Sequence, residues 1–391
     1  LGYDYWGEMI SPQKTINILN GEEPQDAHML SPAHGAVQID EQLLSLGREA
    51  FYEETFKNEI FLTDIVGIMD GALTLPNMTM AILKLGGKGT TNLQVPLAKS
   101  IKIGDRYFQK GELVDTGIDV PQGSFLPLGM PITLSEGRLR VGISCAACHA
   151  SVDPQSKKVV EGAPNLDLDS GLMLALAKNS TAFFTNTDVE HLEQYLTDLS
   201  PTITNSKGEK VKLPDAEKID QAVKESLLKW PKGSFDSTID LFNNPSQIPD
   251  SFTLGDHPYG WNGFASIGPF KGLSVLNNNV HAQNSDTLAQ AAQSDVLFEI
   301  DKEVFIATIL QNASSTKFRY DPSSGEKPSE FFSRVNPTPG APGVNEMIKP
   351  PTYPYISLYS PNGTVVSSPG YRVGEQINAM SAFQNALEPP T

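Results

Sequence analysis

Two cysteines occur in the 391 residues, and both fall in one hexapeptide, Ser144-Cys145-Ala146-Ala147-Cys148-His149. Cys-x-x-Cys-His is the spacing at which c-type haem is attached. Two thiols one helical turn apart share a face, and each can add to a vinyl group of a porphyrin. The imidazole of the next residue then meets the iron from the proximal side. A random chain of this composition shows the pattern at a frequency of about 10⁻⁴. Two other chemistries use part of it. A thioredoxin-type redox pair follows a strand of a βαβ unit and has no need of the His. A zinc half-site needs further ligands, and three on five consecutive residues crowd a tetrahedron. Haem c uses all three residues, so Cys145, Cys148 and His149 are the expected cofactor-binding set, with His149 on the iron.

The other face of the iron decides the chemistry: a His or Met there gives an electron carrier, an open site permits peroxide or oxygen chemistry. Five further histidines are present, His28, His34, His191, His257 and His281. His191 lies among acidic residues at a helix start, where solvation is expected. His28 and His34 belong to an N-terminal arm that would have to fold back. Residues 255–284 are different in kind: rich in Gly, Asn and aromatic residues, almost without charge, and containing His257 and His281. Glycine lets backbone approach a flat cofactor, and Trp261, Phe264 and Phe270 could line its face. His281 and then His257 are the candidate distal ligands. The competing reading is a buried aromatic loop whose histidines satisfy backbone carbonyls. Met173, Met130 and Met380 are sulfur alternatives, each set against ordinary core packing.

Arg138 and Arg140 precede the motif at alternate positions, which would point both to one face. Pairing with haem propionates, which guanidinium suits bidentately, stands against simple solvent exposure. Asn165, Asp167 and Asp169 precede Gly171 in a spacing that resembles a calcium loop, but no Glu follows where one is required, and helix capping competes. The formal charge of −17 disfavours nucleic acid and anionic membrane surfaces, and predicts docking to a basic redox partner. Thioether attachment takes place outside the cytoplasm, so a periplasmic or otherwise extracytoplasmic location is expected. The opening Leu1-Gly2-Tyr3-Asp4 has no leader features, as expected of a processed chain or of one starting inside a longer precursor. The most apolar run, 60–85, is broken by Asp64, Asp70, Gly71 and Pro76, so no span is expected.

The elements around these residues read as mainly α with minor β, without βαβ alternation. Residues 1–40 read as an irregular arm. Asp40 caps a helix over 41–56, and 59–85 form two helical pieces hinged near Gly71–Pro76. A β-hairpin insertion spans 92–143. Helices are expected over 170–184, 188–199, 215–229, 287–298, 301–312 and 375–387. The stretch 231–283 is irregular, and the Pro-rich 321–372 wraps the surface. The domain expectation is an arm at 1–40, a haem domain at 41–320, and at 321–391 a wrap with a C-terminal helix that leads toward a further haem domain.

The chain resembles c-type cytochromes, on the haem motif together with Gly47-Arg48-Glu49-Ala50-Phe51. In that family a first helix with Gly-x-x-x-Phe/Tyr packs against a C-terminal helix, here the segment with Ile377, Met380, Phe383 and Leu387. The length of the insertions looks like the N-terminal haem domain of bacterial di-haem cytochrome c peroxidases and haem c rubber oxygenases, whose distal His normally follows the motif sooner than any His does here. The resemblance implies an elaborated cytochrome c-like helical domain with one covalent haem. Three functions stay open: a single-electron carrier, a peroxidase- or oxygenase-like enzyme with an open distal site, and a non-catalytic cytochrome subunit of a larger redox complex; a membrane redox complex or a homo-oligomer is a partner expectation beside the basic redox partner.

Overall fold

The computed structural model describes residues 2–5, 8–23, 27–30, 36–252, 270, 273–336 and 373–390. Helices dominate these residues, and the strands form small antiparallel sheets of two or three. Where an irregular arm was expected, the described residues of 1–40 form a three-stranded sheet and a helix. Strand β1 (Gly2–Tyr5) pairs with β2 (Glu8–Ile10) and with β3 (Ala36–Ile39), and α1 (Pro12–Leu19) lies between them in sequence. The β1–β3 partnership joins residues more than thirty apart, which no local periodicity shows.

Asp40 caps α2 (Glu41–Glu53) by accepting from Leu43 N at 2.8 Å. A buried π-helical turn, Phe61–Val66, and α3 (Leu75–Lys84) follow, separated by a bend that begins at Gly67 with φ +68°. In the insertion, β5 (Ile101–Ile103) and β6 (Arg106–Phe108) form the expected hairpin. Strand β7 (Leu113–Asp115) instead reaches back to β4 (Gln94–Pro96). β8 (Ile132–Ser135) and β9 (Arg138–Val141) then deliver the chain to the cysteine motif.

Downstream, β10 (Ala150–Val152) pairs with β11 (Val159–Glu161), followed by α4 (Ser170–Ala175) and α5 (Ala216–Leu227). The helix expected over 188–199 is a single 3₁₀ turn, Leu192–Tyr195, because Asp188 accepts from Asn243 N at 2.9 Å instead of starting a helix. Helices α6 (Leu273–Ser285), α7 (Thr287–Phe298), α8 (Lys302–Leu310), α9 (Pro328–Val335) and α10 (Val373–Asn385) complete the described chain. α6 begins inside the stretch expected to be irregular. α9 buries Phe331, Phe332 and Val335, so this part of the Pro-rich segment packs instead of wrapping; residues 337–372 lie outside the described residues.

Among the described residues, the apolar clusters nearest the cysteine turn are a large one drawn from residues 61–335 and a smaller one of Phe51, Leu128, Ala146, Ala150, Val152, Phe383 and Leu387. The smaller cluster is held by α2 crossing α10. A Cβ added to Gly47 would lie 2.0 Å from the carbonyl oxygen of Ala379, so the helices meet backbone to backbone. Phe51, one turn on, stacks edge-to-face on Phe383 at 5.3 Å. Among the described residues no helix is long and apolar enough to cross a membrane.

Candidate haem c site

The cysteines open and close one helical turn, Ala146–His149, set between β9 and β10. The turn sits at the seam of the two apolar clusters: Cys145 packs against the Phe51–Phe383 group and Cys148 against the large core. Its back is covered by the loop at Gly129. That residue has φ +66°, its carbonyl accepts from Ser144 N at 2.9 Å, and a Cβ on it would lie 2.0 Å from Ala147 N. Only glycine allows this approach. Across the seam, Met380 of α10 is fully buried with its sulfur 3.8 Å from Cys145 Sγ.

His149 is oriented by a backbone carbonyl. Its Nδ1 lies 3.0 Å from Pro249 O. A carbonyl oxygen can only accept, so Nδ1 carries the hydrogen and, in the neutral ring, Nε2 carries the lone pair. Burial lowers the pKa of His149 below the ordinary imidazole value, against the opposing pull of the Pro249 bond and of Asp250. The ring is therefore neutral at pH 7 and set as a ligand through Nε2. Burial also pushes the Cys145 thiol up to about 12, with the Cys148 sulfur adding to it, and the Cys148 thiol up to about 11. A thioredoxin-type pair needs the opposite, a thiol pKa lowered toward neutrality. Among the described residues no three His, Cys, Asp or Glu side chains group as a metal ion would require, so the turn has no zinc-site company there.

Several residues expected near the cofactor are engaged elsewhere. Arg138 and Arg140 do share a face of β9, but that face meets Asp64 of the π turn. Arg140 is 5% exposed, and it donates from Nε to Asp64 at 2.6 Å, to Ser135 O at 2.9 Å and to Glu136 at 3.1 Å. Three of its five N–H donors are thus held by acceptors of the protein itself, the partners seen for a residue also expected to pair with haem propionates. Arg138 pairs with Asp64 and Asp70. Phe270, with φ +55°, is buried against Leu273 and Ala382, with Leu43 and Leu44 alongside. Ala382 lies two positions from Met380 on α10, about 200° round the helix. Phe270 therefore packs on α10 at a face turned from that of Met380.

Among the remaining candidates, His191 is solvent-exposed, as expected, and so is His28. Met173 and Met130 are buried in the large core. Asp169 caps α4 through Leu172 N at 2.9 Å, and Asn165 accepts from Asp167 N and Leu168 N, the capping use of that loop. His257, Trp261, Phe264 and His34 lie outside the described residues, as does the side chain of His281 on α6. Pro249 and Gly129 were not legible as site residues. Pro249 contributes a main-chain oxygen, which leaves no mark on the sequence.

Comparison with family models, with curated proteins and with solved structures finds no match.

Proposed function

We propose that this chain is an extracytoplasmic c-type cytochrome that binds one haem through Cys145 and Cys148, ligates its iron with His149, and passes single electrons to a redox partner. The observation that carries this reading is the His149–Pro249 bond, which presents Nε2 as a ligand beside two thiols on the same turn. The α2–α10 crossing supports it, since the helices expected to clamp the cofactor do meet at Gly47 and Ala379. The residues fit the group. The thiols are neutral and held among apolar side chains, and the imidazole tautomer is the one a metal requires. When bound, the haem supplies a one-electron couple. The chain fixes the imidazole, excludes water with Phe51, Leu128 and Phe383, and covers the turn with the Gly129 loop.

The test is expression in a host that attaches haem c, followed by denaturation. Haem absorbance is expected to stay with the unfolded polypeptide, and to be lost from it in the Cys145→Ala/Cys148→Ala double variant. A chain without covalent haem overturns the proposal. For the carrier function, a low-spin ferric spectrum unchanged by carbon monoxide (after reduction) or by peroxide is expected. Rapid carbon monoxide binding overturns the carrier in favour of an open distal site.

A further inference from the structure

We infer that Gly162 is a positioning residue for the His149 imidazole, the backbone bridge between the peptide of that histidine and the strap 249–252 that receives its ring hydrogen. The inference rests on the haem reading above and deepens it, because it names what sets the ligand on the iron.

Three hydrogen bonds close a ring. Gly162 N donates to His149 O at 2.9 Å, and Ser251 N donates to Gly162 O at 2.8 Å. Two residues before Ser251, Pro249 O accepts from His149 Nδ1 at 3.0 Å. One peptide unit at Gly162 thus ties the histidine main chain and the strap together. The distance from backbone to carbonyl is then fixed on both sides of the imidazole. The strap is anchored further by Phe252, which packs on the cluster around the turn. Ser251 is buried, with Gln384 Nε2 of α10 at 3.4 Å from its hydroxyl.

Position 162 demands glycine on two counts. Its φ is +87°, and a Cβ there would lie 2.6 Å from the Phe252 ring and 3.1 Å from Leu387. A methyl group would push Phe252, and with it Pro249, away from the imidazole. Hydrogen bonding at Nδ1 raises the basicity of Nε2, and a more basic ligand favours the ferric state. Weakening that bond therefore raises the reduction potential.

The holoprotein tests this, with haem content measured first. Gly208 provides the control, since it has φ +86° with nothing within 4 Å of an added Cβ, so Gly208→Ala imposes the backbone strain alone. Gly162→Ala is expected to change the ferric-to-ferrous preference about threefold, a rise of about 30 mV for one electron. Gly208→Ala is expected to keep the wild-type potential. Phe252→Ala, which frees the strap, is expected to raise the potential in the same direction. It also decides the matter alone if Gly162→Ala does not accumulate. A wild-type potential in Gly162→Ala, an equal shift in Gly208→Ala, or an unmoved Phe252→Ala where that variant stands alone, overturns the inference. A wild-type chain without covalent haem overturns the haem reading instead, and is seen before any potential is measured.

Discussion

Asp119 is a buried carboxyl that fastens the strand leaving the cysteine turn. It is 3% exposed and accepts from Val152 N at 2.6 Å, while its own carbonyl accepts from Leu128 N. Burial raises its pKa to about 7; the Val152 bond and Lys157 pull it down and Asp167 pushes it up. The unfolded value is near 3.9, so between about pH 4 and pH 7 the folded state holds the proton more tightly. The contribution of Asp119 to stability therefore falls as pH rises through this window. Asn at 119 keeps an acceptor for Val152 and removes the charge. Asp119→Asn is expected to gain on the order of 2–3 kcal/mol relative to wild type between pH 5 and pH 8. Denaturant melts at the two pH values check it, and a constant difference refutes it. The thiols of Cys145 and Cys148 are governed by the same dehydration, which keeps them protonated until they react.

At the scale of elements, the α2–α10 crossing is the feature on which the site depends. An exposed helical glycine gains about 1 kcal/mol of helix propensity when changed to alanine. At Gly47 the sign reverses, because the added carbon meets the backbone of Ala379 at 2.0 Å. Gly47→Ala is expected to cost about 1–3 kcal/mol net by overpacking, and Phe51→Ala about 3–5 kcal/mol by leaving a cavity beside Phe383. Urea unfolding of the two variants measures both, and a stabilised Gly47→Ala would refute the close crossing. Gly47 and Phe51 were legible because a small residue and an aromatic at i and i+4 mark one helix face, and the helix expected over 375–387 came as their partner from the resemblance to c-type cytochromes. The helical turn at Cys145–His149 was legible from the Cys-x-x-Cys-His spacing, which sets the two thiols one turn apart. What escaped the sequence depends on distant partners. The β1–β3 pairing joins residues over thirty apart, and Arg140 meets a carboxylate 76 positions away. The imidazole is held by a carbonyl 100 positions downstream, which any residue type could supply.

For the whole molecule, the size of the chain has a structural counterpart. The large core, drawn from residues 61–335, accounts for most of the buried apolar side chains, and the cysteine turn touches it only at its edge. Most of the protein is thus a separate packed mass on which a small helical clamp is mounted. The net charge of −17 acts at this scale through long-range steering. Oxidation of the reduced protein by hexaammineruthenium(III), a cation, is expected to slow as ionic strength rises, and oxidation by ferricyanide, an anion, to accelerate. Stopped-flow rates from about 10 to about 300 mM salt measure this; parallel salt dependences would refute charge steering of these oxidants. The clamp also imposes a schedule. Its halves, Gly47 and Ala379, stand more than three hundred residues apart in the chain. α2 can close on α10 only when both ends of that long segment are present together. Any group joined to Cys145 and Cys148 therefore enters while the two helices still stand apart, and their meeting shuts the door behind it.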